Sequence, residues 1–165
     1  MESLNLNTLL DRDDITKNIT NILDNFEKNR SNLLIKRGIY LYGNPGIGKT
    51  TFVIKLLKLL DYDVIHYDAG DIRNKNIIET ITKDTMANTN VISYFTKKRK
   101  KIVIVMDEID GMNNGDKGGI NSLIKIIRPK KTKKQKKEEI TMIPIICIGN
   151  YHVDKKIKEM IKICE

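Results

Sequence analysis

Apolar positions along this chain switch between two periods, and the switches mark out a repeating strand and helix order. Ile15, Ile19, Ile22, Leu23 and Phe26 recur at helical spacing behind Asp13 and Asp14, acidic residues suited to a helix start. They predict a leading helix over about 13–29. Short continuous apolar runs then alternate with helical ones. Strands are expected at Ile39–Tyr42, Val64–Tyr67, Ile102–Met106 and Ile143–Ile148, and helices at Thr51–Leu60, Ile77 to about Met86, Ile120–Ile127 and Asp154–Ile163. The run Ile102-Val103-Ile104-Val105-Met106 has no polar side, which is how a strand reads when helices cover both faces of its sheet. The pattern predicts a three-layer α/β domain on a mostly parallel sheet, with no internal repeat.

At 165 residues and 40% hydrophobic content the chain is expected to form one domain, 1–165, with its core over about 37–165. Two basic runs break the apolar pattern, Lys97–Lys101 and Lys130–Lys137. The second follows Pro129, lies in a loop over about 129–139, and has no apolar periodicity. Neither run is expected in the core, and the second should be a mobile, solvated loop. The net charge of +9 favours a polyanionic partner over a basic substrate. That inference is weakened by a composition rich in Ile, Lys and Asn with no Trp, the bias an AT-rich genome imposes on any protein. The N-terminus lacks a secretory pattern and no apolar run nears the ~20 residues a membrane span needs, so a soluble intracellular protein is expected, with no membrane partner. Cys147 and Cys164 lack metal or redox spacing and read as buried apolar residues; His66 and His152 read as ordinary side chains.

Chemistry enters with Gly43-Asn44-Pro45-Gly46-Ile47-Gly48-Lys49-Thr50, set between the first predicted strand and a helix that starts near Thr51. In that context the glycines let successive backbone N–H groups turn toward phosphates. Lys49 reaches the β- and γ-phosphates, and the Thr50 hydroxyl completes a magnesium shell at a helix N-terminus. The strand Ile102–Met106 ends in Asp107-Glu108, which puts two carboxylates at the C-terminal tip of a buried parallel strand, where such sheets hold their ligands. Asp107 is the candidate magnesium ligand and Glu108 the candidate base that polarises an attacking water. Each alone could be a plain surface turn. The last predicted strand ends in Gly149-Asn150, and an amide at that tip would reach the γ-phosphate or the lytic water, although a lone Asn is more often a turn residue.

With these residues in place the chain resembles the ATPase domain of the AAA+ superfamily, and within it the large subunit of replication factor C, the eukaryotic clamp loader. The matching stretches are Tyr42 to Thr51, Asp68-Ala69-Gly70-Asp71-Ile72-Arg73, Met106-Asp107-Glu108-Ile109-Asp110-Gly111-Met112, Lys117-Gly118-Gly119-Ile120 and Ile143 to Asn150. Together they cover nearly the whole chain. The resemblance implies a three-layer αβα P-loop NTPase that takes ATP and Mg2+, with Gly43 to Thr51 as the nucleotide loop, Thr50 and Asp107 at the metal, Glu108 and Lys49 in catalysis and Asn150 as first sensor. It also implies hetero-oligomeric partners, namely clamp-loader small subunits, a sliding clamp and primer–template DNA gripped through its phosphates. Lys125 and Arg128 are the candidate DNA contacts, and a nuclear or viral replication compartment is the implied location. Rival readings are an initiator or helicase-loader ATPase of another AAA+ branch, and a nucleotide- or DNA-binding module without turnover.

Two departures stand against the family pattern. Ile161-Lys162-Ile163-Cys164 occupies the place of the Ser-Arg-Cys that supplies an arginine finger in small subunits. The family domain also continues into a fifth strand and a helical lid, whereas Glu165 is the last residue here, so the chain is expected to be truncated before both, to leave the edge of Ile39–Tyr42 unpaired, and to hydrolyse ATP weakly alone.

Overall fold

A computed structural model describes residues 11–68, 101–114, 119–137, 141–150 and 155–165. The expected helix at Ile77, most of the Lys97–Lys101 run, the stretch 69–73, Lys117, Gly118 and His152 lie outside the described residues. The elements in chain order are α1 (Asp13–Lys28), β1 (Gly38–Tyr42), α2 (Lys49–Leu59), β2 (Tyr62–Tyr67), β3 (Lys101–Met106), a 3-10 segment (Ile109–Asn114), α3 (Gly119–Ile127), a short 3-10 turn (Gln135–Lys137), β4 (Ile145–Gly149) and α4 (Lys155–Ile163).

The four strands form one sheet in the order β1-β4-β3-β2, and every neighbouring pair is parallel. Ile146 is opposite Ile39 on one side and Val105 on the other. Side chains alternate across the sheet and each face has its own helices. On one face Val103, Val105, Ile146 and Ile148 meet Ile19 and Leu23 of α1 and Phe52, Val53, Leu56 and Leu57 of α2. On the other, Ile104, Met106, Ile145 and Cys147 meet Ile120, Leu123 and Ile127 of α3 and Ile157 and Met160 of α4. Every residue of β4 is buried, as the unbroken apolar run implies. Because β1, β4 and β3 are adjacent and run the same way, their C-terminal tips come to one end of the sheet.

Element ends shift for identifiable reasons. β2 starts at Tyr62 because Tyr62 pairs with Lys101, whose ammonium lies 5.4 Å from the Tyr62 ring centroid. β4 starts at Ile145, two residues later than expected, because Pro144 has no N–H for the ladder. Instead Thr141 closes a tight turn: its hydroxyl accepts from the Ile143 N–H at 3.1 Å and donates to the Ile143 carbonyl at 2.9 Å.

Two expectations are corrected outright. The β1 edge is not wholly unpaired. The Glu165 N–H donates to Gly38 O at 3.0 Å and the Tyr40 N–H donates to Glu165 O at 3.0 Å, the two bonds of a parallel rung opposite Ile39. Nor is the second basic run all solvated. Lys130 is fully buried; its ammonium donates to Lys125 O, and its N–H donates to Leu33 O at 2.8 Å. Beyond it, Gln135 Oε1 accepts from the N–H groups of Lys131 and Thr132, both at 3.0 Å, while the Gln135 N–H donates to Thr132 Oγ1 at 3.2 Å. Thr132-Lys133-Lys134-Gln135 is therefore a reciprocal helix cap that fixes the lysine-rich loop as a turn.

A second buried cation fastens the segment before β1. Arg37, 1% exposed, donates to Thr141 O at 3.1 Å, Ile35 O at 3.0 Å, Asn32 O at 3.0 Å and, more weakly, Leu33 O at 3.5 Å. Burial pulls its guanidinium below its ordinary pKa, yet arginine stays protonated throughout the range in which proteins fold.

Both cysteines are buried free thiols, as expected. Desolvation holds the Cys147 thiol well above its usual value and pushes Cys164 up to about 12. The sign follows directly: a thiol pKa raised on folding stabilises the fold fully below the unfolded value of ~8.5, and that contribution fades as pH climbs through the folded value. We expect neither thiol to react with iodoacetamide in the native protein at pH 8, and both to react once it is unfolded in urea. Rapid native labelling would show that the α3/α4 face does not exclude water.

Candidate active site

The loop between β1 and α2 gets its shape from two glycines. Gly46 and Gly48 both have φ of 78°, a left-handed conformation that costs side-chain-bearing residues and not glycine. Gly48 is the N-cap of α2, whose first turn carries no acidic residue, so its free N–H groups and positive dipole end are left for an anion. At Gly43 a Cβ would lie 2.8 Å from Ile47 Cδ1, the free end of an exposed side chain that can swing aside, so the demand for glycine is weaker there.

The Lys49 ammonium sits among three oxygens, Gly43 O at 3.1 Å, Asn44 O at 2.9 Å and Asn150 Oδ1 at 3.1 Å. One side chain thus joins the loop to the tip of β4. Next to it, Thr50 Oγ1 donates to Asp107 Oδ2 at 2.5 Å, joining the start of α2 to the tip of β3. Glu108 is an exposed residue at φ of 51°, a left-handed backbone that costs a non-glycine residue ~1–3 kcal/mol. Two bonds brace it: its N–H donates to Asp107 Oδ1 at 2.9 Å and its carbonyl accepts from Gly111 N–H at 2.9 Å.

These groups line one cavity of about 280 Å³, bounded by Pro45, Gly46, Gly48, Lys49, Thr50, Thr51, Asp107, Glu108, Ile148, Gly149 and Asn150. That volume lies at the lower limit of ~300 Å³ for small-molecule sites, which suits a chain of phosphates more than a whole nucleotide. Gly43 and Asn44 contribute carbonyls to Lys49 and do not line the cavity; Ile47 is 48% exposed and does not line it either. Lys125 is exposed on α3 and Arg128 half-buried just past its end, and neither borders the cavity. The donors suit a magnesium ion. A hydroxyl and a carboxylate oxygen in contact are the hard ligands it accepts when phosphate oxygens and water complete its shell.

Three further side chains that no nucleotide motif flags stand around the cavity. Asp110 Oδ2 accepts the Asn150 N–H at 2.8 Å and so fixes the tip of β4. Its position in Asp-Glu-Ile-Asp was the available signal, read only as part of the family run. A Cβ on Gly149 would overlap Asp110 Oδ1 and Tyr40 Oη, so glycine is what lets β4 come this close. His66 Nε2 lies 3.8 Å from Asp107 Oδ2, a proximity created by β2 pairing with β3 and invisible to spacing along the chain. Arg12, at the entry of α1, donates to Ile47 O.

Comparison with known proteins agrees with this geometry. Residues 39–164 match the ATPase family associated with various cellular activities (AAA). Replication factor C subunit 1 of Saccharomyces cerevisiae is 31% identical over 162 residues, covering 88% of this chain and 18% of the yeast protein. Its Drosophila melanogaster counterpart is 34% identical over 129 residues, covering 75% of this chain and 12% of that protein. The replication factor C large subunit of Methanococcus aeolicus is 36% identical over 95 residues, covering 57% and 19%. The chain spans less than a fifth of the length of these relatives. A parallel sheet whose three adjacent tips carry the phosphate loop, the Asp107-Glu108 pair and Asn150, together with a family match over most of its length, shows that the chain belongs to the AAA family of ATPases.

Proposed function

We propose that this domain binds and hydrolyses ATP as part of a clamp-loader subunit of the replication factor C large-subunit type, and so serves the loading of a sliding clamp on primer–template DNA. The observation that carries the reading is the convergence of Lys49, the Thr50–Asp107 pair and Asn150 on one phosphate-sized cavity. The similarity to replication factor C large subunits supports the choice of partner.

ATP bound with magnesium supplies the phosphoryl group to be transferred and the cation that offsets its charge. The chain's own residues do the rest. Gly46 and Gly48 present backbone N–H groups, and the Lys49 ammonium exchanges its carbonyl partners for phosphate oxygens. Thr50 and Asp107 would hold the metal. Glu108 orients a water and accepts its proton, while the side-chain amide of Asn150, whose backbone N–H is held by Asp110, donates to the γ-phosphate or to that water. Lys125 and Arg128 are the proposed contacts to DNA phosphates, which would make DNA binding steeply salt-dependent and nearly indifferent to sequence.

The test is ATP hydrolysis by the chain alone and in the presence of clamp-loader small subunits, clamp and primed DNA. We expect weak turnover alone and a clear rise with each addition. ATP binding without turnover in the complete assembly would reject an enzymatic role, and copurification with origin or helicase proteins in place of small subunits would reject the clamp-loader one.

A further inference from the structure

We propose that Arg12 is a positioning residue for the phosphate loop: by holding the Ile47 carbonyl from outside, it aims the Gly48 N–H into the cavity and sets the loop's affinity for nucleotide phosphate. This inference rests on the loop binding a nucleotide, as proposed above.

Little else among the described residues holds this part of the loop. Gly46 and Gly48 flank Ile47, and apart from their own chain neighbours no atom of the described residues lies within 4 Å of where a Cβ on either would sit. Glycine adopts φ of either sign readily, so two glycines in open space leave the peptide units around Ile47 free to rotate. Packing does not decide their orientation. A directional bond must.

Arg12 makes that bond. Its Nη2 donates to Ile47 O at 2.5 Å. The peptide joining Ile47 to Gly48 is planar and trans, so its C=O and N–H point in opposite directions. A carbonyl turned outward to Arg12 therefore turns the Gly48 N–H the other way, and it is Gly48, not Ile47, that borders the cavity.

The arginine is itself fixed from two sides. Its guanidinium carbon stands 5.2 Å from the centroid of the Phe52 ring, on the face of α2 that packs on the sheet. Its backbone carbonyl accepts the Thr16 N–H at 2.9 Å and the Thr16 hydroxyl at 2.9 Å, which ties it into the first turn of α1. Since Ile19 and Leu23 anchor α1 on the core shared with Phe52, Arg12 carries the docking of the leading helix to the phosphate loop.

Two substitutions separate a positional role from a structural one. Arg12→Met keeps an unbranched side chain over Phe52 and removes the donor; Arg12→Lys keeps a cationic donor. Titrations of ADP with Mg2+ by calorimetry are expected to show affinity lowered about tenfold by Arg12→Met, the scale of one charge-assisted hydrogen bond, and mostly recovered in Arg12→Lys. In 1H–15N spectra the Gly48 amide should shift on adding ADP in the unaltered chain and shift less in Arg12→Met, with the amides of Val103, Ile104 and Ile145, which do not line the cavity, unmoved in both. Wild-type affinity and a full Gly48 shift in Arg12→Met would overturn the proposal while leaving nucleotide binding intact. So would an equal loss in Arg12→Lys, or a loss accompanied by shifts throughout the core. Failure of the unaltered chain to bind ADP would instead sink the nucleotide reading on which this one rests.

Discussion

Glu108→Gln is expected to bind ATP as the unaltered chain does and to lose about 10²–10⁴-fold in turnover within the proposed clamp-loader assembly, the range that one well-placed general base supplies. Gln matches Glu in size and keeps the bonds that brace the backbone at this position, because those run through the Glu108 N–H and carbonyl. Only the capacity to take a proton is removed. Nucleotide affinity should hold because the proposed phosphate contacts, Gly46, Gly48, Lys49 and Thr50, do not depend on the side chain of residue 108. The left-handed backbone supplies a second arm. Glu108→Gly should be equally inactive yet at least as resistant to heat, since glycine relieves strain of ~1–3 kcal/mol at a cost of ~1 kcal/mol in chain entropy. Binding by fluorescent-nucleotide titration and turnover by phosphate release check both. Robust hydrolysis by the Gln variant would remove Glu108 from the mechanism.

The largest effect on stability is expected at Arg37. Its guanidinium serves four backbone carbonyls from two separate stretches of chain while 1% exposed. Arg37→Met fills a similar volume and leaves those carbonyls without their donor. Of the three shorter bonds only that to Thr141 O is fully buried, so with ~1–3 kcal/mol for that carbonyl and about 1 kcal/mol for each of the part-buried carbonyls of Ile35 and Asn32, the 3.5 Å contact counting little, the loss should be about 3–5 kcal/mol. A domain with ~5–15 kcal/mol in total would be brought near its unfolding threshold. Arg37→Lys retains the charge and not the planar fork, so it should fall between the two. Urea unfolding measures all three, and a loss under about 1 kcal/mol for Arg37→Met would mean that water or a shift of Thr141 satisfies the carbonyls.

What was legible in the sequence and what was not divides along physical lines. The strands through Ile104 and Ile146 were readable because burial on both faces demands unbroken apolar runs, and the phosphate loop because its glycines and lysine keep fixed spacing in one stretch. The inner ends of β2 and β4 were not, since a tyrosine that pairs with a lysine and a proline that cannot pair are settled by the neighbouring strand. Buried cations were hidden for a stronger reason. Arg37 and Lys130 look like surface residues by type, and only the carbonyls that converge on them reverse that expectation. The Thr132 to Gln135 cap, by contrast, was present as a short-range pattern and was masked by the lysines around it. His66, Asp110 and Arg12 come beside Asp107, Asn150 and Ile47 through sheet order and helix docking, which no spacing along the chain encodes.

That cap has one more consequence. Lys133, Lys134, Lys136 and Lys137 are exposed on a turn already closed by Thr132 and Gln135, with Lys130 rooting its base in the core. Four ammonium groups so displayed form a preassembled electropositive knob, whose ordering entropy is spent during folding and is not charged again on contact with a polyanion. A floppy tether of identical composition would meet the same phosphates with a weaker grip, despite an unchanged net charge.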